Sequence, residues 1–200
     1  MLRGKSTLFA ALFFVFVFSF VSGAEAQTRA ADRAIVSQAQ KVSGDRFGYF
    51  TQTPKGARVY AVKRPSAQML NAIDAGLSEL FAVARKNRYT RKLNYSDYTI
   101  FIGRPDRTRD SKGRYSPDIA VNAGQYAGSV YDQGGFIYAA GMVLGYNPNA
   151  FLIAEHTTNF RRVSEAVRNE GEHLILYHND RRRYNETADH SRGGGHPILQ

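Results

Sequence analysis

Residues 66–87 read SAQMLNAIDAGLSELFAVARKN and have the periodicity of an amphipathic helix. Apolar side chains recur three and four positions apart, at Met69, Leu70, Ile73, Leu77, Leu80, Phe81 and Ala84. Ser66 precedes them and is a residue type that accepts hydrogen bonds from the first helical turn. The end of the stretch is basic, as the helix dipole favours. We therefore predict a helix from Ser66 to about Asn87.

The segments beyond this helix have the alternation of short strands. Residues 58–63 (RVYAVK) precede Pro65, and residues 98–102 (YTIFI) precede Gly103, so each predicts a strand with a defined end. Three further strands are predicted at residues 118–121, 126–131 and 136–143. The apolar run at residues 151–154 (FLIA) fits either a strand or a helix.

A second helix is predicted over residues 158–178, with Thr157 or Thr158 as its cap and an end near Asn179. One face of it holds Phe160, Val163, Val167, Gly171, Leu174 and His178. Residues 181–200, called the tail below, are polar and predict irregular structure. Alternating strands and two amphipathic helices together predict an α+β fold, in which a small antiparallel or mixed sheet is packed by the two main helices.

The composition fits one ordinary globular domain: 200 residues, 43% of them hydrophobic. The formal net charge of +10 favours an anionic partner. The absence of Cys excludes disulfides, thiolate metal ligands and cysteine nucleophiles. No Gly-x-Ser-x-Gly sequence is present, so a serine hydrolase of that type is not expected.

The first 26 residues have the pattern of a secretory signal peptide. Arg3 and Lys5 precede an apolar run at residues 7–21, and Ala24 and Ala26 occupy the positions that a signal peptidase reads. The run is short for a membrane span, and an uncleaved anchor is the alternative. We predict a signal peptide at 1–26, a peripheral leader at 27–47 and one α+β domain at 48–200. The expected location is secreted or periplasmic, with no transmembrane span in the mature chain.

Histidines gather in the last quarter of the chain. All five lie at or beyond residue 156, near carboxylates that include Glu170, Glu172, Asp180 and Asp189: His156, His173, His178, His190 and His196. Imidazole and carboxylate together suit zinc or a related divalent ion. Glu170 and His173 are three positions apart and share a helix face. The alternative interpretation is ordinary surface ion pairing along the helix, among Arg168, Glu172 and their neighbours.

Residues 169–173 read NEGEH and resemble the His-Glu-x-x-His helix of the zincin metallopeptidases, with Asn169 in place of the first His. The order of the predicted elements is also similar to theirs. The resemblance implies that His173 binds zinc and that Glu170 is the general base. It also implies a ligand from further along the chain, for which His178, Asp180, His190 and His196 are available. The preferred metal shell is His173, His190 and His196.

These observations predict a secreted metal-binding protein, acting as a zincin-like zinc hydrolase on a peptide or protein substrate. The alternative is a non-catalytic secreted module that binds an anionic polymer or a protein partner. Its basic side chains would come from one loop, at Arg104, Arg107, Arg109, Lys112 and Arg114. A third hypothesis is a metal-dependent nuclease that uses His178, Asp180 and His190. No nuclease motif supports it, and nucleic acid is not the expected partner.

Overall fold

The computed structural model describes residues 33–37, 39–40, 44–104, 136–139, 142–145, 149–154, 159–187, 196 and 198. The chain divides into two compact units, Met1–Ile35 and Val36–Gln200, and the strands and long helices of the described residues belong to the second. The predicted signal peptide lies outside the described residues, as do the predicted strands at 118–121 and 126–131. Residues 33–37 and 39–40, within the predicted leader, are helical.

A mixed sheet of four strands forms the centre of the second unit. In chain order the strands are β1 (Tyr49–Gln52), β2 (Arg58–Ala61), β3 (Tyr98–Gly103), β4 (Phe136–Ala139), β5 (Met142–Gly145) and β6 (Asn149–Ala154). The sheet has the order β1-β2-β3-β6, with β1 antiparallel to β2 and the other two pairings parallel. The strands β4 and β5 pair with each other as an antiparallel hairpin.

In the described part of the chain after residue 44, three α-helices accompany the strands: α1 (Ala67–Lys86), α2 (Phe160–Asn179) and α3 (Arg181–Thr187). The first is the helix predicted from the sequence, and Ser66 caps it by accepting a hydrogen bond from the Met69 N–H at 3.1 Å. Its predicted apolar face is buried except at Leu70, which is partly exposed. The predicted α+β fold is confirmed, with a mixed sheet. None of the helices in the described part of the chain has the length and apolar character needed to cross a membrane.

The core lies on both faces of β3, whose six residues are all buried. On one face the Tyr98 ring packs 5.6 Å from Phe81 of α1. On the other face the Phe101 ring stacks 5.4 Å from Tyr60 and lies 5.0 Å from Phe47. Alternate residues of one strand thus join the helical layer to an aromatic layer on the opposite side.

The two long helices approach each other to backbone contact. The Ser164 hydroxyl of α2 donates to the Ala72 carbonyl of α1 at 2.9 Å. A Cβ atom on Gly76 would clash with the Ser164 carbonyl oxygen, and one on Gly171 would lie 2.5 Å from Leu80 Cδ2. Glycine at these positions therefore permits the close packing that fixes α2 against α1.

The structure corrects two sequence predictions and decides a third that was open between a strand and a helix. The single strand predicted at 136–143 is the β4–β5 hairpin, in which the chain reverses between Ala139 and Met142, where the sequence has Ala140 and Gly141. The cap of α2 is Asn159, not Thr157 or Thr158, because the Asn159 side chain accepts from the Arg162 N–H at 3.2 Å. The run at 151–154 belongs to strand β6.

The start of the tail is also more regular than the sequence predicts. Residues Arg181–Thr187 form α3, since the Asp180 carboxylate accepts from the Arg183 N–H at 3.0 Å and so caps a new helix. Tyr184 is buried and anchors it. The cap residue directly after α2 therefore begins a second helix rather than an irregular tail.

Candidate functional site

Helix α2 buries ionisable side chains in its central turns. Glu172 and His173 have no exposed surface, and Glu170 is 8% exposed. Residues 170–176 are buried without interruption, because α1 and β3 meet this part of the helix at Gly171. Two carboxyl groups and an imidazole are costly to bury, so their presence marks a candidate functional site.

Glu170 and His173 meet on one face of α2, as their spacing predicts. The Glu170 Oε2 atom lies 3.7 Å from His173 Nε2. This separation is longer than a hydrogen bond and within the range of an ion pair. The pair therefore places a slightly exposed carboxylate beside a fully buried imidazole.

The tail folds back onto the same helix. The His196 ring centroid lies 5.0 Å from that of His173, and His196 Nδ1 lies 3.8 Å from Glu172 Oε2. Two residues further along, the Ile198 N–H donates to Glu172 Oε1 at 3.1 Å. Ile198 itself is 2% exposed. Backbone, ring and apolar side chain thus hold this part of the tail against α2.

Burial dominates the electrostatics of Glu172. It raises the pKa of the carboxyl group to about 7, while the Ile198 N–H and the charges of Arg183 and Arg168 act in the lowering direction. Glu172 Oε2 and Asn169 Oδ1 are both buried, and neither has a hydrogen-bond donor among the described residues. Such oxygen atoms are suited to a cation or a bound water.

The structure brings together only some of the predicted site residues. Glu170, His173 and His196 form one cluster with Glu172. His190 and His156 lie outside the described residues. Among those that are described, no group of three or more His, Asp or Glu side chains is arranged to hold a metal ion.

His178 and Asp180 have different surroundings from this cluster. Burial lowers the pKa of His178 to about 4, and Lys92 and Arg91 add to the effect. Asp180 caps α3 and accepts from the Tyr89 hydroxyl at 3.4 Å. Of the predicted basic loop, Arg104 is described and pairs with Asp45, whereas residues 105–116 lie outside the described residues.

Glu172 is the residue that the sequence analysis did not assign to the site. Its interpretation as a surface partner of Arg168 is wrong, because Arg168 Nη1 pairs with Glu79 Oε2 of α1 at 3.0 Å and Glu172 is fully buried. A sequence signal was present. Ile175 and Leu176, three and four positions later, place apolar side chains on the same side of the helix.

Comparisons with protein-family models, with curated proteins and with solved structures each find no match for this chain. The resemblance to the zincin metallopeptidases therefore rests on the NEGEH residues and on the order of elements predicted from the sequence.

Proposed function

We propose that this chain is a secreted zinc-binding protein that hydrolyses peptide bonds, with His173, His190 and His196 as zinc ligands and Glu170 as the general base. The observation that supports it most strongly is the position of the His196 ring, 5.0 Å from the His173 ring. These residues are 23 positions apart in sequence, and the tail places the partly exposed imidazole of His196 beside the fully buried one of His173.

The donor chemistry of the cluster fits zinc. Imidazole nitrogen is among the preferred ligands of this ion, and carboxylates commonly orient the ligating histidines. Glu170, Glu172 and His173 are buried on α2, and the His196 ring of the tail lies 5.0 Å from the His173 ring. The proposal takes the third imidazole from His190.

Glu170 has the properties of a proton acceptor. It is the most exposed of the three buried ionisable residues on α2, so it retains a route to solvent. Its Oε2 atom lies 3.7 Å from His173 Nε2, adjacent to the proposed ligands. Zinc, when bound, supplies Lewis-acid activation of water and of a substrate carbonyl. Glu170 would accept a proton from the water that attacks the peptide carbonyl carbon, and would return it to the amine nitrogen as the C–N bond breaks.

The test is zinc content of the purified chain from residue 27 to residue 200. We expect about one zinc ion per wild-type chain, and its loss in His173→Ala and in His196→Ala. His178→Ala is the matched control, because His178 lies on the same helix outside the cluster, and it should retain zinc. Glu170→Gln should retain zinc and lose peptide hydrolysis.

Two results would contradict the proposal. Stoichiometric zinc in both the His173 and the His196 variants would remove these residues from the ligand set. A wild-type chain that takes up no zinc would favour the non-catalytic binding module, whose partner would then be sought among anionic polymers.

A further inference from the structure

Basic side chains gather where the loop after α1 meets the junction of α2 and α3. They come from that loop and from the first turn of α3, and are called the basic rim below: Arg88, Arg91, Lys92, Arg181, Arg182 and Arg183. The loop is bound to the end of α2, because Asn179 Oδ1 accepts from the Thr90 and Arg91 N–H groups at 3.0 and 2.9 Å. It is bound to α3 as well, since Arg183 Nη1 donates to the Tyr89 hydroxyl at 3.2 Å. The two groups of cations are therefore held side by side.

Ion pairs within the rim are long and lie at the surface. Lys92 Nζ is 3.8 Å from Asp97 Oδ1, and Arg182 Nη1 is 3.9 Å from Glu186 Oε1. Exposed pairs of this kind contribute little free energy, so an anion of higher charge density can compete with these carboxylates. Consecutive cations also repel one another, and the first turn of α3 contains no acidic residue.

The backbone at Arg88 has the conformation that usually requires glycine. The Tyr89 N–H donates to the Ala84 carbonyl and the Arg88 N–H to the Arg85 carbonyl, both at 3.0 Å. This pair of bonds is the Schellman motif, and its left-handed position is Arg88, with φ of 62°. A Cβ atom is disfavoured there, so folding alone would favour glycine. An exposed arginine at this position therefore indicates a role for its charge at the surface.

Lys92 repeats this feature at the other end of the loop. Its φ is 63°, and its carbonyl oxygen accepts from the hydroxyl of Tyr98 at 2.9 Å. Because Tyr98 is fully buried, the core of the domain fixes the backbone on which this lysine stands. The cations of the loop are thus presented by a rigid frame. We propose that the basic rim binds a linear acidic polysaccharide through its sulfate or carboxylate groups.

The surroundings of the rim favour a polysaccharide over other polyanions. Single-stranded nucleic acid stacks on exposed aromatic rings, but Arg181 Cζ lies 3.7 Å from the centroid of the Tyr177 ring and covers it, and Tyr184 is buried. A lipid surface is bound with apolar side chains that enter the headgroup layer. In the described part of the chain the exposed large apolar residues are Tyr49 and Phe50, which belong to β1 and not to the rim.

The test compares two polymers with the same backbone, dextran sulfate and uncharged dextran, binding to the chain from residue 27 to residue 200. Fluorescence anisotropy of the labelled polymers is measured from about 50 to about 300 mM NaCl. We expect binding of dextran sulfate with an affinity that falls as the salt concentration rises, and no binding of dextran. Polygalacturonate, which has carboxylate groups, should compete with the labelled polymer.

The decisive variant is Arg88→Gly/Lys92→Gly. Glycine suits both backbone conformations, so the midpoint of thermal unfolding should be unchanged or higher. The slope of log affinity against log salt concentration should become shallower by about two, one for each cation lost. Zinc content should not change, since the rim contains none of the proposed zinc ligands. Arg182→Gln, at a largely exposed side chain, provides a second variant that should lower the slope by about one.

The control is Lys63→Gln/Arg64→Gln, which removes the same charge from exposed residues at the opposite end of α1, about 30 Å away. It should leave the slope unchanged. Equal effects of the control and of the rim variants would show attraction by net charge alone and overturn the proposal. A wild-type chain that does not distinguish dextran sulfate from dextran overturns it too. Tighter binding of DNA, or of vesicles that contain phosphatidylglycerol, would show that the partner is not a polysaccharide.

Discussion

At the residue scale, His178 makes the folded state sensitive to acid. Burial lowers its pKa to about 4, Lys92, Arg91 and Arg181 act in the same direction, and Asp97 opposes them. The unfolded chain has the ordinary value of 6.5. Protonation therefore favours the unfolded state, so the stability linked to His178 is complete above about pH 6.5 and is lost as the pH falls toward 4.

We predict that His178→Gln reduces this acid sensitivity. A shift of this size corresponds to about 3 kcal/mol at most, and partial exposure of the side chain lowers the expected effect to about 1–2 kcal/mol. The measurement is the free energy of unfolding in denaturant at about pH 7 and about pH 4. If the wild type and the variant lose the same free energy of unfolding between these two pH values, His178 is not the group responsible for the acid sensitivity.

At the scale of elements, the contact between α1 and α2 depends on its glycines. A Cβ atom on Gly76 would meet the rigid backbone carbonyl of Ser164 and lie 3.0 Å from Val167 Cβ. At Gly171 the obstacle is Leu80 Cδ2, the end of a side chain that can rotate. Ala normally stabilises a helix relative to Gly, but here the clash opposes that gain.

We predict that Gly76→Ala lowers the free energy of unfolding by about 1–3 kcal/mol, as overpacked substitutions do. Gly171→Ala should cost less, because Leu80 can move away. Ser78→Ala, on the exposed face of α1, is the control and should change the stability by less than about 0.5 kcal/mol. Denaturant unfolding of the three variants ranks their free energies of unfolding. A Gly76→Ala variant with wild-type stability would mean that the two helices are further apart than described.

At the scale of the whole molecule, export is the property that the first 26 residues predict. We expect the exported chain to begin at Gln27, because Ala24 and Ala26 provide the small side chains that a signal peptidase requires. Mass spectrometry of the exported protein checks the N-terminus. Recovery of intact Met1, or of a membrane-embedded form alone, would contradict the prediction.

Sequence patterns predicted those helices and strands whose ends are set by residues close to them in the chain. The bounds of α1 follow from the Ser66 cap and from the spacing of apolar side chains within one helix. Strand β3 is identified by a short β-prone run with a glycine at its end. The hairpin was missed because its turn lies within the stretch predicted as one strand. Helix α3 was missed because its cap, Asp180, lies at the predicted end of α2, directly before the predicted tail.

The sequence by itself also determined the Glu170–His173 pair, since the helical repeat places residues three apart on one face. The meeting of His196 with His173 and the burial of Glu172 were decided only by the tertiary structure. Both depend on how α1, β3 and the tail close around α2. Contacts between residues remote in the chain have no period in the sequence, because they arise when the apolar surfaces of separate elements leave water together.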